Sequence, residues 1–447
     1  MITALHFFIQ LFNLDRLSAI MISLVLFVAI CIDSFSLRYL RGDSSRKTFF
    51  VNLTIMVTTV IVMVSADNIF LLWLAWVISN ILLTRLMLHK AEWKAAKASA
   101  VLAQKNFASG ALFLGAALMI LYSLTGETSI QTILTKPLNS EWQAVVGLLL
   151  LLAAMSQSAL WPFHKWLTSS LNSPTPVSAI MHAGLVNGGG FLLARFASLL
   201  FGQSQILNLI FVVGIATALL GTLWKLMQSD VKRMLACSTM GQMGFMIAQC
   251  GLGLFPAAVA HLCWHGLFKA YLFLSSGSAA KEKRLDLDYP PSLKDVAKAL
   301  LCGVLTAATF SITSGNQLLI ADTSLFLTFL SLIAGTQFAI PIVRGQSGVK
   351  FLAGAGAGIL MGAFYGLNVY IIEWVLAPLH LSIPQPLNFV HFTGGGLLFV
   401  SWLYMLFMPD PNKRALPEWL LKAYVKMLNT SQPHRKTITA SRNEYQF

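Results

Sequence analysis

Acidic residues are scarce in this sequence: 17 aspartates and glutamates stand against 31 lysines and arginines in 447 residues, and charged residues of both signs make up only 11%. A soluble globular chain carries about 25% charged residues, so a protein with a mostly water-facing surface is excluded. Cysteine is also sparse. The five cysteines (Cys31, Cys237, Cys250, Cys263, Cys302) sit singly in apolar segments without metal or redox spacing. That argues against a disulfide framework, a zinc site or an iron–sulfur cluster in this chain, and no cofactor is expected in it. Long polar stretches are missing too, the longest being Lys281 to Lys294 and the residues after Pro409, so no soluble domain is inserted.

Apolar residues dominate instead, at 56% of the chain with a mean hydropathy of +0.71. One soluble core stops growing beyond ~250–300 residues, and apolar runs recur at the length needed to cross ~30 Å of hydrocarbon. The pattern predicts an all-α, polytopic membrane helix bundle. About thirteen spans are expected, near 17–37, 48–65, 68–88, 107–125, 143–166, 175–200, 205–227, 234–252, 256–279, 297–314, 323–342, 350–371 and 388–408. The start, MITALHFFIQLF, lacks a cationic region and is expected to be a short helix or interfacial lead-in rather than a signal peptide.

A net charge of +14 in a soluble chain would suggest nucleic acid. Here its placement matters more. All lysines and arginines except Arg16, Lys136, Arg85, Arg195 and Lys269 fall in alternate loops, at the helix ends bordering them or in the C-terminal tail. This asymmetry is the positive-inside signature. It predicts a multi-pass protein of the cell (inner) membrane, with the N-terminus outside and the C-terminus cytoplasmic, and the charge needs no nucleic-acid partner. Residues 1–408 form the transmembrane domain in this reading, and 409–447 a basic cytoplasmic tail. Within the tail, LPEWLLKAYVKML (Leu416–Leu428) has apolar and basic positions at helical spacing, suited to a membrane surface or a partner helix. The residues after it have little to bury and are expected to be ordered only against something else.

An ionisable side chain inside a membrane helix usually faces a polar cavity or a partner. The strongest cluster is AVAHLCWHGLFKAYLFLSSGS (Ala258–Ser278), where His261, His265 and Lys269 recur every fourth residue on one helix face. Histidine titrates near neutrality, and desolvation moves a lysine towards it. The group reads as a proton relay, with structural polar contacts the blander alternative and no third or fourth ligand for a metal. A second cluster spans Ser158–Gly184. Pro162 is expected to break an apolar helix and free carbonyls at membrane depth, with His164 and Lys165 directly after the break and His182 two turns into the next helix. An interfacial anchor explains Lys165 equally well. In SDVKRMLACSTMGQMGF (Ser229–Phe245), Ser238, Thr239 and Gln242 fit either a wet path or polar helix packing. GAGAGILMG (Gly354–Gly362) lacks the strand and downstream acid of a nucleotide loop and reads as close helix packing.

Pro174–Gly184, Ser229–Phe245 and His261–Ser278 together resemble the proton-conducting membrane transporter family, which includes the antiporter-like subunits of respiratory complex I (NuoL type) and of Mrp sodium/proton antiporters. The resemblance runs from about Leu14 to Ser278 and takes in Ala66-Asp67-Asn68 and Leu74-Ala75-Trp76. It implies antiporter-like inverted repeats and broken helices, with His182, His261, His265 and Lys269 at the family's central polar positions. It also exposes departures. Val77 stands where NuoL-type subunits place a glutamate, Gln157 replaces a lysine on the broken helix, and no lysine occurs near Gln317 or Leu318.

The missing glutamate and the stretch Met181–Phe196 are most similar to the DabB type, the membrane subunit of inorganic-carbon accumulation complexes. That resemblance implies a non-enzymatic subunit that conducts cations, protons above all, through His182, His261, His265 and Lys269, with His164 and Lys165 at the cytoplasmic mouth. It further implies a soluble DabA-like partner on the cytoplasmic side carrying a carbonic-anhydrase-like zinc site, which ion flow would drive to hydrate carbon dioxide to bicarbonate. The competing expectations are a subunit of an NADH-quinone oxidoreductase or Mrp antiporter, and a non-conducting scaffold.

Overall fold

The computed structural model describes residues 11–281, 290–316, 320–344, 348–407 and 417–438. These residues are helical apart from loops and isolated bridges. Eleven of their helices are long and apolar enough to cross a membrane. Two further predicted spans are helices that fall outside that set, Ser140–Gln157 and Val231–Gly251. The first has polar ends, with Ser140, Glu141 and Gln143 at one and Ser156 and Gln157 at the other. The second carries Lys232, Arg233 and several amides and hydroxyls. The N-terminal lead-in to residue 10 and the Gln317–Leu318 position lie outside the described residues.

The chain divides into two compact units, one containing residues up to 250, 261–280 and 427 onward, the other 251–260 and 281–426. In the first unit, α1 (Arg16–Tyr39), α2 (Arg46–Ser65), α3 (Ile69–Met87) and α4 (Lys94–Thr125) follow as near-continuous apolar helices. Polar side chains set where they start. Asp15 caps α1 by accepting from the Ser18 amide at 2.8 Å, and Asn68 caps α3 by accepting from the amides of Phe70 and Leu71.

Next comes α5 (Ser140–Gln157), which ends five residues before Pro162. The connection to the short helical turn Lys165–Thr168 contains Ala159 in the left-handed region and a cis Trp161–Pro162 peptide. The break expected around Pro162 is therefore present and begins earlier. A second break was not foreseen. The single span expected over 175–200 consists of α6 (Thr175–Ala183), a 3-10 turn Leu185–Asn187 and α7 (Gly188–Arg195). Glycine destabilises helix interiors, and the interruption coincides with Gly184 and the Gly188–Gly190 run.

Helices α8 (Ser204–Leu226) and α9 (Val231–Gly251) approach closely through small residues. A Cβ on Gly244 would lie 2.7 Å from the Gly214 carbonyl oxygen, so only glycine permits this spacing. The C-terminal part of α10 (Phe255–Leu274), from His261 on, belongs to this unit.

In the second unit, α11 (Leu293–Ser314) packs on α12 (Ser324–Val343) and α13 (Gly348–Leu376). The glycine-rich Gly354–Gly362 run sits within α13 as packing surface, where a Cβ on Gly358 would come 3.0 Å from the Cys302 carbonyl oxygen of α11. Helix α14 (Phe389–Phe407) and most of α15 (Glu418–Ser431) complete this unit.

Candidate functional site

The site is built where α6, α9 and α10 meet in the first unit. His182, one residue before the end of α6, is 1% exposed. Its Nδ1 lies 3.0 Å from Thr239 Oγ1 of α9, and its ring stacks on Phe273 of α10 with centroids 4.3 Å apart. Thr239 also donates to the Leu235 carbonyl at 3.0 Å. With its proton committed there, Thr239 Oγ1 is left as an acceptor, which favours a proton on His182 Nδ1.

His265 faces the same point from α10. It is buried, and its ring is hydrogen-bonded by the His182 backbone. The rings of His261 and His265 stack nearly parallel at 6.2 Å, as the four-residue spacing on one helix predicts. One turn further, Lys269 is 1% exposed and its Nζ donates to the Leu235 carbonyl of α9 at 3.4 Å.

Of the six predicted residues, His182 and Lys269 thus meet one stretch of α9, His265 bonds the His182 backbone, and His261 extends the line. Buried polar atoms without a protein partner mark this interior: Nε2 of His261 and of His265, Asn187 Oδ1 and both amide atoms of Gln249. Native proteins leave few such atoms unpaired without water or function to account for them. The cluster offers imidazoles and an amine within one turn of each other in a low-dielectric setting, which is the equipment for handing on a proton.

His164 and Lys165 are arranged differently. His164 is buried, with its ring 4.8 Å from Trp224 of α8 and its Nδ1 unpartnered, whereas Lys165 is exposed. They flank the broken segment and make neither of the α9 contacts of His182 and Lys269. Of the remaining intrahelical cations, Arg85 is exposed in the last turn of α3. Arg195 is held in an ion pair with Asp15 and donates to Ser18 Oγ at 2.9 Å and the Val64 carbonyl at 3.0 Å.

Sequence reasoning missed Asn80. Gln157, at the position of the family's lysine, exchanges two 3.0 Å hydrogen bonds with Asn80 of α3 and donates to the Leu185 carbonyl at 3.3 Å. A neutral, mutually satisfied amide pair occupies this place. Asn80 lies one turn beyond Val77, which is the only hint its position gave.

Comparison with known proteins agrees with this architecture. Residues 66–314 match the family described as NADH:quinone oxidoreductase/Mrp antiporter, transmembrane part, and residues 5–50 match the complex I chain 5 N-terminus. The chain belongs to this proton-conducting membrane transporter family.

Among its relatives is the probable inorganic carbon transporter subunit DabB of Bacillus subtilis, 33% identical over 88% of this chain and 78% of that protein. The probable subunit DabB1 of Halothiobacillus neapolitanus is 38% identical over 60% of this chain, which spans only half of that relative's length. NADH-quinone oxidoreductase subunit L of Pseudomonas aeruginosa is 34% identical over 59% of this chain and 44% of its own. In fold, the chain resembles a subunit in the structure of the Mrp complex from Dietzia sp. DQ12-45-1b, with a TM-score of 0.59 at 24% identity, covering 95% of this chain and 45% of that one.

Proposed function

We propose that this chain is the membrane subunit of an inorganic-carbon accumulation complex and conducts protons along His261, His265, Lys269 and His182. The reading rests on one observation: His182 and Lys269, both buried, meet α9 four residues apart at Thr239 and Leu235, with buried His265 against the His182 backbone. The DabB relatives supply the direction of the assignment. The chain itself carries out no covalent chemistry in this reading. Ion flow through it energises a DabA-like soluble partner, bound on the cytoplasmic side and bearing the zinc centre, that hydrates carbon dioxide. His164 and Lys165 stand near the cytoplasmic end of the route.

The test is proton flux in proteoliposomes under an imposed potential, together with growth at ambient carbon dioxide of a host lacking carbonic anhydrase. His265→Ala is expected to lower flux by about 100-fold, the scale of a lost proton-transfer group, and to abolish rescue of growth while the partner still co-purifies. Normal flux and growth with stable His265→Ala protein would overturn the relay.

The 34% identity to an NADH-quinone oxidoreductase subunit favours a second reading, an ion-translocating subunit of a complex I or Mrp assembly. Co-purification in mild detergent separates the two. A large soluble zinc protein supports the first, and a set of hydrophobic subunits the second.

A further inference from the structure

The lysine-rich end of the first unit contains a cavity of about 340 Å³. Its wall comes from four separate stretches: the end of α1 and the loop after it, the α3–α4 loop, residues 171–174 before α6, and Lys232 in the first turn of α9. We propose that this cavity is the water-filled mouth of the proton route and that Lys232 takes the proton from its water. The inference rests on the proton-conducting reading above and places the entrance at this cavity, which neither His164 nor Lys165 lines.

Two features mark the cavity as a polar, water-accommodating space rather than a dry packing defect. The first is its lining. Asp43, His89, Tyr39, Lys90 and Lys232 all border it, a mixture of acid, imidazole, phenol and amine. Asp43 and His89 bond each other at 3.0 Å, and Lys90 lies over the Trp93 ring. Lys232 donates to the Ser173 carbonyl at 3.2 Å. The second is Ser173, whose side-chain oxygen is buried in the wall with no protein partner. A void of this size has room for several waters, each taking ~30 Å³.

Helix α9 connects this mouth to the histidines. Lys232, Leu235 and Thr239 fall three and four residues apart on one helix face, rising about 10 Å along the axis. Each holds one step: Lys232 borders the cavity, the Leu235 carbonyl accepts from Lys269, and Thr239 bonds His182. The charge of Lys232 also acts on His182 directly. One proton leaves the Lys232 ammonium through water for the neutral amine of Lys269, and cavity water reprotonates Lys232. Lys269 then passes the proton on towards His265, one turn back along α10.

The experiment compares proton flux in proteoliposomes for wild type, His265→Ala, Lys232→Ala, Lys232→Arg and Ser173→Trp, each checked for a monodisperse peak. Lys232→Ala is expected to lose about tenfold or more in rate and to recover part of it when millimolar imidazole is added to the aqueous phase. Lys232→Arg keeps the charge but cannot release a proton at working pH, so it is expected to stay slow. Ser173→Trp is expected to slow flux by filling the cavity. Wild-type rates in Lys232→Arg would reduce the residue to a fixed charge and overturn the proposal. Wild-type rates in both Lys232→Ala and Ser173→Trp, with His265→Ala dead, would place the mouth elsewhere and leave the histidine route standing. A wild type without flux would instead overturn the conduction reading itself.

Discussion

Two ion pairs in the first unit differ in what they do, and burial decides the difference. Asp15 and Arg195 are 11% and 9% exposed, and the pair ties the start of α1 to the end of α7. Removing one partner strands a desolvated charge, which costs about 3–5 kcal/mol. Asp15→Ala is therefore expected to lower the thermal unfolding temperature sharply in detergent. Lys136→Ala, which opens the half-exposed pair with Glu127, is expected to shift stability by only ~0.2–1 kcal/mol.

Asp43 behaves differently again, because it lies in a loop. The hydrogen bond from His89, then that from the Ser45 amide, hold its carboxyl below the ordinary value of 3.8. A carboxylate whose folded value is depressed adds stability above its unfolded value and loses it as pH falls through the lower folded one. Asp43→Asn is accordingly expected to be less stable than wild type near neutrality, with the gap closing below about pH 4. Melting curves across that range check it. At this scale the histidines and Lys269 were legible in the sequence because ionisable groups are so rare there. Asn80 was not, and for Thr239 the sequence left a wet path and polar helix packing equally open. Uncharged polar residues in a membrane helix commonly satisfy themselves on the local backbone, and only the packed neighbours show that Asn80 bonds Gln157 and Thr239 bonds His182.

Helices were readable where apolar runs met a capping residue, as at Asp15 and Asn68, and less so where the chain turns within the membrane. Pro162 announced the first break, but the turn begins after Gln157. The second, between α6 and α7, left only a glycine run as its signal, and glycines in apolar helices more often mean packing. Both meanings occur here, since Gly214 and Gly244 do pack α8 on α9. Gly244→Val is expected to push these helices apart and, because α9 carries Leu235 and Thr239, to reduce proton flux along with stability. The amide pair between α3 and α5 makes a separate test. Gln157→Leu leaves the buried Asn80 unsatisfied, at a cost of about 1–3 kcal/mol, whereas adding Asn80→Leu restores most of that stability. Wild-type stability of the single variant in thermal melts would show that the pair contributes nothing.

Across the whole molecule, the tail was expected to be ordered only against something else, and the first unit itself supplies that surface. Gln228 and Arg233, on either side of the α8–α9 loop, bond Ser431 and Gln432. Ser169 accepts from the His434 amide at 2.9 Å, and Asn172 donates to the Thr437 carbonyl at 2.9 Å. Residues 431–437 of the tail are thereby fixed to loops at the lysine-rich end, beside the cavity that Asn172 borders. Helix α15 precedes it with Trp419, Leu421, Tyr424 and Val425 exposed and Lys422 and Lys426 on its polar side. Everything assigned to the cytoplasm, the mouth and the partner's face alike, therefore depends on which way this one end points. Charge gives the direction: moving the basic loops across the bilayer is what the positive-inside bias resists. In a background with the five cysteines replaced by serine or alanine, Asn429→Cys, exposed on α15, is expected to react with a membrane-impermeant maleimide only in inside-out vesicles. Pro137→Cys, exposed on the opposite loop, is expected to react only in right-side-out ones. The reverse pattern would turn the chain over in the membrane, place the cavity on the outer face, and leave no cytoplasmic surface at this end for a soluble partner.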